Sequence, residues 1–141
     1  ARERPDAVVC GAPVFDSSIP PARRIGRKLT VFLVAVQTLS RDIPEAMCGF
    51  RVYPLAAVLS LLSDRSLSPR MGFDIEVLVR LHWRGVGLRF LPTRVIYPPG
   101  GLSNFRMVRD NLGISLVHVR LCIGMVTRLP LLLARRIGRG G

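Results

Sequence analysis

Residues 45–51, with the sequence EAMCGFR, lie between a long amphipathic segment and a series of shorter elements. Pro44 directly precedes the stretch and favours an extended conformation at Ile43. Gly49 permits close backbone approach or a positive φ angle, and Arg51 offers several N–H donors to an anionic group. A carboxylate such as that of Glu45 can act as a general base or orient other groups. The stretch therefore predicts a loop that carries chemistry.

Before this loop, the sequence predicts a strand at residues 7–10, ended by Gly11 and Pro13, and then an exposed loop. A helix is predicted for residues 22–40, with apolar side chains at helical spacing on its buried face: Ile25, Leu29, Phe32, Leu33, Val36 and Leu39. Its first turns carry Arg23, Arg24, Arg27 and Lys28, where cations oppose the helix dipole. These cations either form a solvated face or meet the phosphate of a substrate.

After the loop, the pattern predicts a strand end at residues 52–54 and a short helix at 55–62. A second helix at 73–83 carries an i,i+4 pair of Glu76 and Arg80. A strand at 88–97 contains Pro92, which favours an edge or bulged position, and a Pro- and Gly-rich loop follows. A helix is predicted from residue 105 to about 127, and Pro130 restricts its continuation.

Three segments together resemble one protein family. The pattern of an acidic residue, two positions, a small residue and Gly-Phe-Arg at 45–51 resembles the acceptor-side motif of inverting family-two glycosyltransferases, especially polyprenyl-phosphate sugar synthases. Residues 73–76, FDIE, resemble the family's helix with an internal Glu. Residues 91–97, LPTRVIY, with 101–103, GLS, resemble its Pro-containing strand and Gly-x-Ser-Lys loop.

The resemblance implies an α/β fold: a partial GT-A-like (nucleotide-diphospho-sugar transferase) domain at residues 1–104, and a basic amphipathic C-terminal helix and tail at 105–141. The family's nucleotide-binding strands and its Asp-x-Asp motif precede the part that this sequence resembles, and no Asp-x-Asp occurs here. We therefore expect the donor half to lie outside this sequence, and the sequence alone to be inactive. The full enzyme would use Mg²⁺ or Mn²⁺, with no metal ligand in this part.

The implied reaction is inverting transfer of a sugar from a nucleoside diphosphate sugar to a membrane-associated acceptor, such as a polyprenyl phosphate. Glu45 would be the catalytic base or orienting carboxylate, although the family usually has Asp there. The residues implied to bind acceptor or phosphate, or to shape that site, are Arg27, Gly49, Arg51, Arg94, Gly101 and Ser103. Asp74 and Glu76 would support the site. Asn104 stands where the family has a Lys, and Arg106 could replace that charge.

Charge favours an anionic partner. The 141 residues contain 21 Lys and Arg against 9 Asp and Glu, a net charge of +12, and Lys28 is the only lysine. Arginine is the better fork-shaped partner of phosphate oxygens, but GC-rich coding produces the same bias. The rival hypothesis is a non-catalytic basic module that binds anionic membrane or nucleic acid. Nucleic acid is the less favoured partner, because the interleaved exposed aromatics of single-strand binders are lacking.

The C-terminal segment favours a membrane surface. Arg106, Arg109, Arg120 and Arg128 form a basic stripe on the predicted helix, and residues 128–137 place leucines between arginines. The alternative is a helix packed on its own domain. The longest uncharged stretches, residues 29–40 and 52–63, are shorter than the roughly 18 residues of a spanning helix. We expect a cytoplasmic protein, peripheral on the inner face of the membrane of a bacterial-type cell envelope.

Overall fold

The structure is a computed structural model that describes residues 5–15, 19–64, 67–96 and 106–138. These ranges form a mixed α/β fold, which confirms the predicted fold class at that level. The elements follow in the order β1 (Val8–Phe15), α1 (Pro21–Thr38), β2 (Arg51–Val52), α2 (Leu55–Asp64), α3 (Met71–Trp83), β3 (Leu88–Val95) and α4 (Met107–Gly138).

Strand β1 is the centre of a three-stranded mixed sheet with the order β2-β1-β3. It pairs antiparallel with the short β2, and parallel with β3 along its whole length, from Val8 opposite Leu88 to Phe15 opposite Val95. A parallel pair needs a long crossover, and α1, α2 and α3 lie within it. Within the described sheet β3 is an edge strand, as Pro92 predicts.

The predicted end of β1 at Gly11 is wrong, because the strand continues to Phe15. Gly11 donates its N–H to the carbonyl of Phe50 at 2.9 Å. A Cβ at this position would lie 3.1 Å from Thr93 Oγ1 and 3.3 Å from Cys48 Sγ. Gly11 therefore marks a close approach of the 45–51 loop to the strand rather than the end of the strand.

Helix α3 is the centre of the core. Every residue from 75 to 81 is buried, and the helix contacts α1, α2 and α4. A helix that is mostly apolar on all sides is expected to lie in the interior. The prediction of a helix at residues 73–83 is confirmed, with two further residues at its start.

The predicted buried face of α1 is wrong. Ile25 and Phe32 are 68% and 63% exposed, and Leu29 and Val36 are exposed as well. The helix instead buries Val34 with three polar residues, Thr30, Gln37 and Thr38. Apolar spacing did not identify this face because the buried side chains of Gln37 and Thr38 are hydrogen-bonded. The Gln37 side-chain nitrogen Nε2 donates to the backbone carbonyl of His118 at 3.1 Å, and the backbone carbonyl of Gln37 accepts from Trp83 Nε1 at 2.9 Å.

The predicted end of the last helix near residue 127 is also wrong, because α4 continues through Pro130 to Gly138. Proline removes one N–H and leaves the carbonyl of Val126 without its helical donor. Val126 is 62% exposed, so water can bond that carbonyl. Leu132 is buried in the core, and Arg135 Nη1 donates to the carbonyl of Trp83 at 2.6 Å. These contacts hold the turns beyond Pro130.

Helix α4 also corrects the expectation that no segment is long enough to span a membrane. Its residues Val108–Gly138 have the length and composition of a membrane-spanning helix, although the same is true of many helices that pack on soluble domains. The uncharged-stretch criterion missed this segment because arginines at 109, 120 and 128 interrupt it.

Candidate functional site at the carboxyl ends of the parallel strands

The 45–51 loop is folded around the side chain of Glu45. One carboxylate oxygen, Oε1, accepts the backbone N–H groups of Met47 and Cys48, the latter at 3.0 Å. The other, Oε2, accepts from Arg27 Nη1 at 2.6 Å, and the Glu45 side chain is only 9% exposed. Both oxygens are therefore engaged. This geometry makes Glu45 a group that shapes the loop and orients Arg27, while a role as base stays a prediction.

Arg51 is buried against the same loop, with 1% of its side chain exposed. Its Nε and Nη2 atoms donate to the carbonyls of Cys48 and Ala46, each at 2.7 Å. Its Nη1 donates to the carbonyl of Asp74 and lies 3.4 Å from the Tyr53 hydroxyl. The guanidinium thus joins the loop to α3. Contact between Arg51 and an acceptor phosphate stays a prediction that would require these bonds to be exchanged.

Asp74 is the most accessible carboxylate in this cluster, with 28% of its side chain exposed. Its Oδ1 lies 4.0 Å from Arg51 Nη1, and a Cβ on the exposed Gly49 would lie 3.7 Å from its Oδ2. Burial raises the pKa of Asp74, and the positive charge of Arg51 only partly opposes that rise. The absent side chain at Gly49 therefore leaves room beside a carboxylate that retains its proton more readily than an ordinary aspartate.

Glu76 is fully buried on the other side of α3. Its Oε1 accepts from Arg80 Nε at 2.9 Å and Nη2 at 2.6 Å, and its Oε2 accepts the N–H of Ser68 at 2.8 Å. Arg120 of α4 lies 3.7 Å from the same Oε1. Burial opposes ionisation of Glu76, but the hydrogen bonds from Ser68 and Arg80 outweigh it and lower the pKa of Glu76. The predicted i,i+4 pair is confirmed, and it is an interior pair.

Arg27 connects this loop to the end of β1. Its guanidinium stacks over the ring of Phe15, 4.8 Å from the ring centre, while it bonds Glu45. Phe15 is the last residue of β1, and its neighbour Val14 pairs with Arg94 of β3. Arg94 is exposed. It lies four residues, or about 13 Å, further along β3 than Phe90, which pairs with Cys10. Arg27 and Arg94 therefore flank the carboxyl ends of both parallel strands.

The two remaining predicted site residues come after β3 in the sequence. Gly101 and Ser103 lie outside the described residues, in the segment that comes after the carboxyl end of β3. Sequence reasoning missed Phe15, because an aromatic residue at a strand end gives no sign that it stacks on a guanidinium. It also missed Ser68 and Arg120 at Glu76, since both come from other elements.

Three thiols lie in the chain, and two are near this cluster. Cys10, Cys48 and Cys122 are free thiols. Burial raises the pKa of Cys10 to about 11, against the opposing charge of Arg51. Among the described residues, no group of three or more His, Cys, Asp or Glu side chains is arranged to hold a metal ion.

Comparisons with protein-family models, with curated proteins and with solved structures found no match to this sequence.

Proposed function

We propose that the chain is the acceptor-side half of an inverting GT-A-like glycosyltransferase, which transfers a sugar from a nucleoside diphosphate sugar to a membrane-associated acceptor such as a polyprenyl phosphate. One observation carries the proposal. Arg27 joins Glu45 of the 45–51 loop to Phe15 at the carboxyl end of β1, and Arg94 pairs with Val14 at the same end of β3, the edge at which open α/β sheets bind their ligands.

Charge at this edge fits a phosphorylated acceptor. Arg94 is exposed and makes no ion pair with any described residue. Arg27 is held in place by Glu45 and by the ring of Phe15, so its remaining N–H donors are pre-oriented. A guanidinium can bond two phosphate oxygens at once. Arg94 and Arg27 are therefore the groups to which we assign acceptor binding, with Glu45 orienting Arg27.

Asp74 is the carboxylate best placed for proton transfer within the proposed site. Its raised pKa brings it nearer to the operating pH, as a general base requires, and Gly49 leaves space beside it. An acceptor that is already an ionised phosphate needs no such base, and Asp74 would then orient groups only. Mg²⁺ or Mn²⁺ would be held by the donor half, since the described residues offer no ligand set for it.

The test is sugar transfer by the protein from its full reading frame, with Mg²⁺ or Mn²⁺, a panel of nucleotide sugars and a membrane extract as the acceptor source. We expect Arg94→Ala to lower transfer about tenfold or more, because hydrogen bonds to charged groups are worth about 1.5–3 kcal/mol. Arg89→Ala is the matched control, since Arg89 is an exposed arginine near the other end of the same strand. Absence of transfer from every donor, or equal loss in both variants, would contradict the proposal.

A second candidate function, binding to an anionic membrane surface without catalysis, is favoured by α4. Its outer face carries exposed apolar side chains at spacings of three, four or seven residues: Leu112, Leu116, Val119, Ile123, Val126, Leu133 and Ile137. The basic stripe is partly used inside the protein, because Arg120 contacts Ser68 and Arg128 stacks over Trp83. Under either candidate, α4 would lie along the bilayer, and the expected place is the cytoplasmic face of the inner membrane.

A further inference from the structure

A groove of about 1050 Å³ lies between the C-terminal end of α1 and the last turns of α4. One wall is apolar: Phe32 and Val36 from α1, Leu39 directly after it, and Leu132 from α4. Phe32 and Val36 are 63% and 41% exposed, so the groove presents these side chains to whatever enters it. The 45–51 loop does not line it.

The other wall is cationic. Arg41, Arg135, Arg136 and His82 line the groove, against one carboxylate, Asp42. Asp42 lies 3.3 Å from His82, and Arg135 bonds the carbonyl of Trp83. Arg41 and Arg136 are exposed and make no ion pair with any described residue.

Three helix C-termini, those of α1, α3 and α4, meet near this groove, and their carbonyls carry partial negative charge. Each contributes the equivalent of roughly half a negative charge. Three arginines against one aspartate leave two positive charges, and the helix ends reduce that surplus without reversing it. The groove therefore favours an anion beside Arg41 and Arg136, with hydrocarbon along Phe32 and Val36.

We propose that this groove binds the headgroup of an anionic bilayer phospholipid, whose phosphate meets Arg41 and Arg136 and whose acyl chain covers Phe32 and Val36. A soluble phosphate would leave the apolar wall exposed, whereas a lipid covers both walls. The apolar face of α4 continues through Leu133 and Ile137, which flank the groove residue Arg136. Helix α4 would thus lie in the interface with one lipid held at its last turns. This proposal does not depend on sugar transfer.

The test is binding of the protein, from its full reading frame, to phosphatidylcholine vesicles with and without roughly one-third phosphatidylglycerol. Arg41→Ala/Arg136→Ala removes the two groove arginines proposed to meet the phosphate, and Arg24→Ala/Arg89→Ala removes two exposed arginines outside the groove and outside α4 with the same change in net charge. We expect the groove variant to bind the anionic vesicles about thirtyfold more weakly, and the control less than about threefold. Equal losses would mean a diffuse electrostatic attraction and would overturn the site.

Two further arms separate a lipid from other ligands. Phe32→Ser should weaken vesicle binding, whereas Phe50→Ser, at a phenylalanine that is 73% exposed outside the groove, should not. Inorganic phosphate should displace the protein from vesicles no more than sodium chloride does at the same ionic strength. Displacement by phosphate, equal binding to pure phosphatidylcholine, or no vesicle binding at all would each refute the lipid site. Near-unchanged thermal unfolding is the check that the variants remain folded.

Discussion

Replacement of Arg51 by methionine tests whether this residue holds the fold or binds a ligand. Arg51 has 1% of its side chain exposed and donates to the carbonyls of Ala46, Cys48 and Asp74. Methionine fills a similar volume and donates nothing, so three carbonyls in or beside the loop lose a charged donor. Arg51→Lys is a useful companion, because one ammonium has no planar fork to reach carbonyls in several directions.

The size of the effect follows from these contacts. A hydrogen bond to a charged group is worth about 1.5–3 kcal/mol, but such terms do not add when the loop can relax. Removal of one partner from a buried charged cluster typically costs about 3–5 kcal/mol, and we expect that range for Arg51→Met. Domains have about 5–15 kcal/mol of total stability. The melting temperature should therefore fall by about 10–15 °C.

Urea unfolding followed by tryptophan fluorescence measures this change, since Trp83 is buried. Arg94→Ala is the control. Because Arg94 is exposed, this substitution should change the free energy of unfolding of the protein by less than about 0.5 kcal/mol. If Arg51→Met lowers the free energy of unfolding by less than about 1 kcal/mol, the buried hydrogen bonds do not hold the loop, and the reasoning fails. Loss of sugar transfer with unchanged stability would restore Arg51 to the acceptor site.

Three further outcomes follow from the packing. Because the pKa of Glu76 is lowered, its stabilisation is present above the ordinary glutamate value of 4.5 and is lost as pH falls through the lowered pKa, so Glu76→Gln should flatten the acid limb of stability against pH. A Cβ added at Gly113 meets nothing within 4 Å, so Gly113→Ala should raise the free energy of unfolding by about 0.5–1 kcal/mol. A Cβ added at Gly72 would lie 2.7 Å from Val117 Cγ2, so Gly72→Ala should lower that free energy by about 1–3 kcal/mol, as measured by urea unfolding. Cys10, with a pKa of about 11, should react with iodoacetamide at pH 8 only after unfolding; labelling of the native protein would contradict its burial.

The elements that sequence predicted well are those whose pattern and packing agree. Helix α3 is apolar nearly all round and is buried nearly all round. The parallel edge strand β3 was readable from its alternation and from Pro92. Helix α1 failed the same test, because Gln37 and Thr38 are buried by virtue of hydrogen bonds that no periodicity reveals. The apolar stripe of α1 faces outward instead, and such an exposed apolar surface is a candidate for contact with a partner.

The arginines of the candidate site also show that sequence alone does not reveal which side chains are buried. The resemblance implied that Arg27, Arg51 and Arg94 all bind the acceptor or its phosphate, and their chemistry is identical. The fold separates them: Arg51 is enclosed by carbonyls, Arg27 is half-buried between Glu45 and Phe15, and Arg94 is exposed. Only an arginine with unused donors can meet a phosphate without disrupting the protein. The exposed arginines, Arg94 at the strand ends and Arg41 and Arg136 in the groove, are therefore better candidates for anion binding than the buried Arg51 of the 45–51 loop.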